Sequence, residues 1–94
     1  MKALRDKCLE TPSLMPLVYH ENLRQLEKWG VQTRSPFEWL TYTTEELGEL
    51  ACAISEYHYR GGNSQDVVKE AIQTATLALK IAEMYLTSNE NDEE

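Results

Sequence analysis

The segment QDVVKEAIQTATLALKIAEMYL, residues 65–86, sets the tightest limit on the fold. On a helical wheel at about 100° per residue with Glu70 at 0°, Val68, Ala71, Ile72, Ala75, Ala78, Leu79 and Ala82 fill an arc of about 80° to 200°. Leu77, Ile81, Met84 and Thr74 flank Glu70 itself, between about 320° and 40°. Only Lys69, Thr76, Lys80 and Glu83 form a strip that reads as solvent-facing. A helix apolar on most sides must be covered by more than one neighbour. A chain of 94 residues has little else to cover it with, which points to a homo-oligomer, a dimer or a tetramer.

The rest of the chain supplies helices and no strands, since no alternating β-branched run is flanked by hairpin punctuation. A short helix is expected over residues 2–10, and a first main helix from Met15 to Trp29, stopped by Gly30. Its apolar positions Leu17, Val18, Leu23, Leu26 and Trp29 follow a loose helical period. After the link VQTRSP, Ser35 is placed as an N-cap, with Pro36 in the first helical position and Glu38 completing a capping box. The second helix runs to Tyr59 and ends in RGGNS. Asn63 or Ser64 then caps the third, from Gln65 to Leu86. The expectation is an all-α fold: one domain over 1–86 with three main helices, completed as a four-helix-type bundle by oligomerisation. Residues 87–94 form a solvated, frayed acidic tail.

Charge narrows the partners. The net charge of −7 argues against a phosphate backbone as ligand, so no nucleic acid is expected. Glu90, Asp92, Glu93 and Glu94 sit in the tail, and without them the body carries −3. The apolar share of 41% with four Gly and three Pro suits an ordered domain. Cys8 and Cys52 form no CxxC pair and read as free thiols of a reducing compartment. No apolar run approaches the ~20 residues of a membrane span, and MKALRDKCLE lacks the apolar core of a signal peptide. A cytoplasmic protein without membrane association is expected.

The stretch TTEELGEL carries Glu45, Glu46 and Glu49 on the second helix, although like charges at i,i+4 repel. With Glu45 at 0°, the apolar arc of Trp39, Leu40, Leu47, Leu50, Ala53, Ile54 and Tyr57 covers about 80° to 220°. Glu46 falls inside this arc at about 100°, Glu49 on its margin at about 40°, and Glu45 outside it. Glu70 is likewise set among apolar residues. A buried carboxylate costs several kcal/mol unless it is neutralised. Hard oxygen ligands at i,i+3 on facing helices suit Mg²⁺ or Mn²⁺, and bundle interiors build carboxylate–metal sites this way. EExxE strings also occur on ordinary solvated helix faces, so a structural helical oligomer with its glutamates at a wet seam is the alternative.

The order KWGVQ (28–32), SPFEWL (35–40), EELGEL (45–50) and KEAIQTATLAL (69–79) resembles the MazG-like branch of the all-α nucleoside triphosphate pyrophosphohydrolases. The similarity is greatest to the short single-domain type of phages and mobile bacterial elements, and covers residues 20–86. It implies Mg²⁺-dependent cleavage of an NTP or dNTP to the monophosphate and pyrophosphate on a bundle formed by dimerisation. The family pattern is EExxE followed by ExxD. By position Glu46, Glu49 and Glu70 become metal ligands, and Glu45 a further ligand or water-orienting group. The family Asp is Gln73 here, whose amide oxygen coordinates Mg²⁺ with one charge fewer. Asp66, one turn away, offers compensation through water.

Pyrophosphate needs cations, for which Lys28 of the KWG motif ranks ahead of Arg24, Lys69, Lys80 and Arg60. Trp29 and Trp39 are candidates to stack on a base, and Gln32 to read its edge. His20 and His58 receive no role, and Met84 and Tyr85 read as core. A neutral Gln73 also leaves open a non-catalytic nucleotide-binding module.

Overall fold

The computed structural model describes residues 4, 6 and 9–92, with side chains through Leu86. Among the described residues three helices make up the all-α fold: α1 (Leu14–Trp29), α2 (Pro36–Tyr59) and α3 (Ser64–Asp92). The expected helix over 2–10 falls largely outside the described residues, and the described Leu4, Asp6, Leu9 and Glu10 are not helical; Cys8 also lies outside them. No described helix is long and apolar enough to cross a membrane.

Local chemistry sets the helix ends. Ser35 Oγ accepts from the Glu38 N–H at 3.2 Å while Glu38 Oε1 accepts from the Ser35 N–H at 3.1 Å, the reciprocal capping box. Pro36 follows in the first turn, where its missing N–H costs nothing. At the far end of α2 the chain reverses through Gly61 at φ 72°, and the Gly62 N–H bonds Glu56 O at 2.8 Å. A Cβ on Gly62 would lie 2.9 Å from the Glu56 carbonyl carbon, so the backbone needs glycine there. Asn63 Oδ1 then caps α3 by accepting from the Gln65 N–H at 2.8 Å. α3 continues past the expected Leu86 to Asp92, because TSNEND contains no Gly or Pro to stop it.

Packing departs from the sequence expectation. α1 and α2 each lie against α3 and not against one another, so α3 is the spine. α2 meets it through a narrow stripe of half-buried Trp39, Tyr42, Glu46, Leu50 and Ala53. α1 presents Leu14, Val18, Glu21 and Gln25, while Leu17, Leu23, Leu26 and Trp29 remain exposed. This places α1 over the side of α3 expected to face solvent. Thr76 is the most buried described residue at 2% exposure, its hydroxyl donating to Ile72 O, and Lys80 is half-buried. Lys69 and Glu83 are exposed as expected. Of the residues read as core, Met84 is half-buried and Tyr85 exposed.

Leu77 is the only fully buried apolar side chain among the described residues. Leu40, Leu47 and Ile54 of α2 and Val68 and Leu79 of α3, all in the expected apolar arcs, are exposed in the single chain. The total surface of 7544 Å² compares with about 5,500 Å² for a compact protein of 10.8 kDa.

Thr76 yields a test with opposite signs for the two placements. On a solvated face Thr76→Lys would slightly stabilise, since Lys is the better helix former. Buried beneath α1, the new ammonium loses its water, and we expect a loss of about 2 kcal/mol or more in urea unfolding.

Candidate functional site

The α2–α3 seam gathers the acids. Glu46, Glu49 and Glu70 each offer a carboxylate oxygen, and these oxygens lie within 4.8 Å of one another. Glu46 and Glu49 share a face because they are one turn apart, and Glu70 meets them from α3. Glu46 and Glu70 are half-buried, Glu49 exposed. Glu45 and Asp66 are exposed and stand outside this group.

Gln73, one turn along from Glu70, closes the cluster. With its amide nitrogen turned towards them, it donates to Glu46 Oε2 at 3.0 Å and Glu70 Oε2 at 3.1 Å. The opposite orientation sets its carbonyl oxygen against two carboxylate oxygens, so the hydrogen-bond pattern selects the first. Burial, and then the neighbouring charges of Glu49 and Glu70, push the Glu46 carboxyl up to about 7. An oxygen-rich cluster that repels its own charge fits a hard divalent cation. Rotating the Gln73 amide by half a turn would offer its oxygen as a further neutral ligand.

Glu46 and Gln73 also face a cavity of about 610 Å³ between α1, the 30–35 link and the α2–α3 pair. Trp29, Gln32 and Trp39 line it, as do Arg24, Arg34 and Lys80. Each tryptophan ring has a cation over it: Lys28 Nζ lies 4.8 Å from the centre of Trp29, and Lys80 Nζ 5.3 Å from that of Trp39. Lys28 itself is not among the cavity-lining residues, and neither are Lys69 and Arg60. Arg60 pairs instead with Glu56 at 3.4 Å near the end of α2.

Arg34, which the sequence did not single out, organises the link. Its Nε donates to Gln32 Oε1 at 3.1 Å, its Nη1 donates to the Tyr42 hydroxyl at 3.0 Å, and its guanidinium pairs with Glu38 at 3.6 Å. Gln32 is thereby held at the cavity wall. Position in the link gave no signal for Arg34, since two of its three partners, Tyr42 and Glu38, come from the next helix. Lys80 did carry one: it sits two turns beyond Gln73 on nearly the same face of α3, at about 280° against 300°.

No family model, curated protein or solved structure matches the chain.

The raised Glu46 carboxyl fixes the sign of a pH effect. Between its ordinary 4.5 and about 7 the folded chain holds a proton that the unfolded chain has released. Stability contributed by the protonated form is complete below 4.5 and lost as pH rises through about 7. In metal-free buffer we expect the thermal midpoint to fall across that window, and Glu46→Gln to flatten the fall. Melting curves of both chains across the pH range check this.

Proposed function

We propose that the chain is a Mg²⁺-dependent pyrophosphohydrolase of the MazG-like kind, which cleaves an NTP or dNTP to the monophosphate and pyrophosphate. The observation that carries this reading is the meeting of Glu46, Glu49 and Glu70 within 4.8 Å beside a cavity lined by two tryptophans and three cations. Glu46, Glu49 and Glu70 would hold Mg²⁺ or Mn²⁺, with Gln73 as a neutral ligand and Asp66 limited to an indirect role. A metal held there would supply charge neutralisation and polarisation of the phosphate oxygens. The protein's part is placement. The carboxylates orient a water, Arg24, Arg34 and Lys80 offset the leaving pyrophosphate, and Trp29 and Trp39 offer flat apolar faces to a base. Gln32, pinned by Arg34, is placed to read a base edge. Glu45 on the exposed side is left with the solvent, and Lys28 supports Trp29.

Self-association belongs to the same reading. The exposed Leu40, Leu47, Ile54 and Leu79 form the apolar faces of α2 and α3 that a second copy would cover. The excess surface of about 2,000 Å² per chain, about 4,000 Å² for two, is of the size that an obligate dimer contact removes. A non-catalytic nucleotide-binding module is the second reading. Gln73 supports it, because an amide donating to Glu46 and Glu70 lowers the negative charge available to the metal.

Pyrophosphate release from a panel of NTPs and dNTPs with Mg²⁺ or Mn²⁺ tests the enzyme. Release should depend on the metal and fall by about a hundredfold or more in Glu46→Gln. Nucleotide binding without release would select the binding module. The metal should also raise the thermal midpoint of the natural chain and not that of Glu46→Gln.

A further inference from the structure

Gln25 and Lys80 make an unusual contact for so small a core. Gln25 is 6% exposed, one of three fully buried residues among those described, on a helix that leaves Met15, Leu17, Tyr19, Leu23, Leu26 and Trp29 at the surface. A buried amide is costly unless both ends are bonded. Here both are: Nε2 donates to Glu21 Oε2 at 2.7 Å, and Oε1 accepts from Lys80 Nζ. Glu21 is in turn gripped by Arg24, whose Nε and Nη2 donate to its two oxygens at 2.8 and 2.7 Å. Burial raises the Glu21 carboxyl, but the bonds from Arg24 and Gln25 outweigh it and hold the group ionised, below its ordinary range.

The cavity's three cations are therefore not equivalent. Arg24 is engaged two-pronged by Glu21, and Arg34 is spread over Gln32, Tyr42 and Glu38. The ammonium of Lys80 bonds a neutral amide, so that contact aims its charge without cancelling it. It stands over the face of Trp39. Along the α3 axis Lys80 lies about 10 Å beyond Gln73, seven residues on, and about 15 Å beyond Glu70, ten residues on. A ligand anionic along its length could meet the metal at one end and Lys80 at the other.

We propose that Lys80 is the group that holds the pyrophosphate portion of the ligand, and that Gln25 is the positioning residue that aims it. This rests on the nucleotide reading above. It displaces Lys28, whose ammonium lies over Trp29 and is not at the cavity wall. Burial lowers the Lys80 ammonium from its ordinary range, with Glu21 opposing, and an anion bound beside it would favour the charged form further.

Calorimetric titration with inorganic pyrophosphate and Mg²⁺ tests both parts, with far-UV circular dichroism to verify folding. Lys80→Gln should bind about tenfold more weakly, while Lys80→Arg keeps most of the affinity. Gln25→Met should cost about fivefold in the natural chain and less than about twofold on top of Lys80→Gln, because a residue acting only through Lys80 has nothing left to aim. On the unmodified chain the Lys80 side-chain ammonium resonance should move on adding magnesium pyrophosphate, a readout that needs no variant to fold. A folded Lys80→Gln chain that binds as tightly as the natural one, or an unmoved resonance, overturns the role of Lys80. Equal cost of Gln25→Met in both backgrounds overturns the positioning role. If the natural chain releases pyrophosphate from nucleotides while Lys80→Gln keeps full affinity, this inference alone falls. If the natural chain binds neither pyrophosphate nor nucleotide, it falls together with the nucleotide reading.

Discussion

Everything in this chain leans on α3. Two helices pack against it on different sides with no close backbone approach between them, so each seam has its own chemistry. The α2 seam brings carboxylates together around Gln73. The α1 seam joins an ammonium to an amide and, through Glu21, to a guanidinium. Between them lies the cavity, present because α1 and α2 diverge on either side of one spine. A tighter three-helix core would have filled that space with side chains and left no room for a ligand.

The thin core has a bearing on the site. Only Leu77 is fully buried among the described apolar residues, so hydrophobic burial within one chain is small. Polar groups at the seams therefore count for more than in a larger domain. They are satisfied: among the described residues no buried side-chain nitrogen or oxygen lacks a partner. The conflict is kept for Glu46, Glu49 and Glu70, where three acids face one another. Local conflict inside an otherwise consistent structure is where function is to be sought.

Much of this was legible in the sequence because it is local. The capping box at Ser35–Glu38, the stop at Gly30 and the Asn63 cap depend on residues within a turn of each other, and the structure places each as the sequence indicates. The convergence of Glu46, Glu49 and Glu70 was legible in part: helical period sets Glu46 and Glu49 on one edge and Glu70 among the apolar residues of its own helix, and only the resemblance joins the three. Thr76 and Lys80 were misread as solvent-facing. A wheel grades residues by type, and it has no means of showing that the covering helix would bring Glu21 and Gln25 rather than Leu23 and Leu26. Arg34 and Gln25 escaped for a related reason. Lys80 for Gln25, and Tyr42 and Glu38 for Arg34, lie on other elements, and neither a link arginine nor a mid-helix glutamine stands out without them.

The division of labour between the two seams makes the site separable into halves. α1 is fastened to the spine by half-buried Leu14 and Val18 and by the Gln25–Lys80 bond, and its larger apolar side chains remain at the surface, the marks of an element that opens at low free energy. Were α1 to swing away, the carboxylate cluster would remain assembled on α2 and α3, while the wall carrying Arg24 and Trp29 would depart and Lys80 would lose its guide. On the function proposed above, a cation held by the carboxylates would stay in place through such an opening. Exchange of the α1 amides with solvent deuterium, faster than that of α3, would be the physical signature of such a gate.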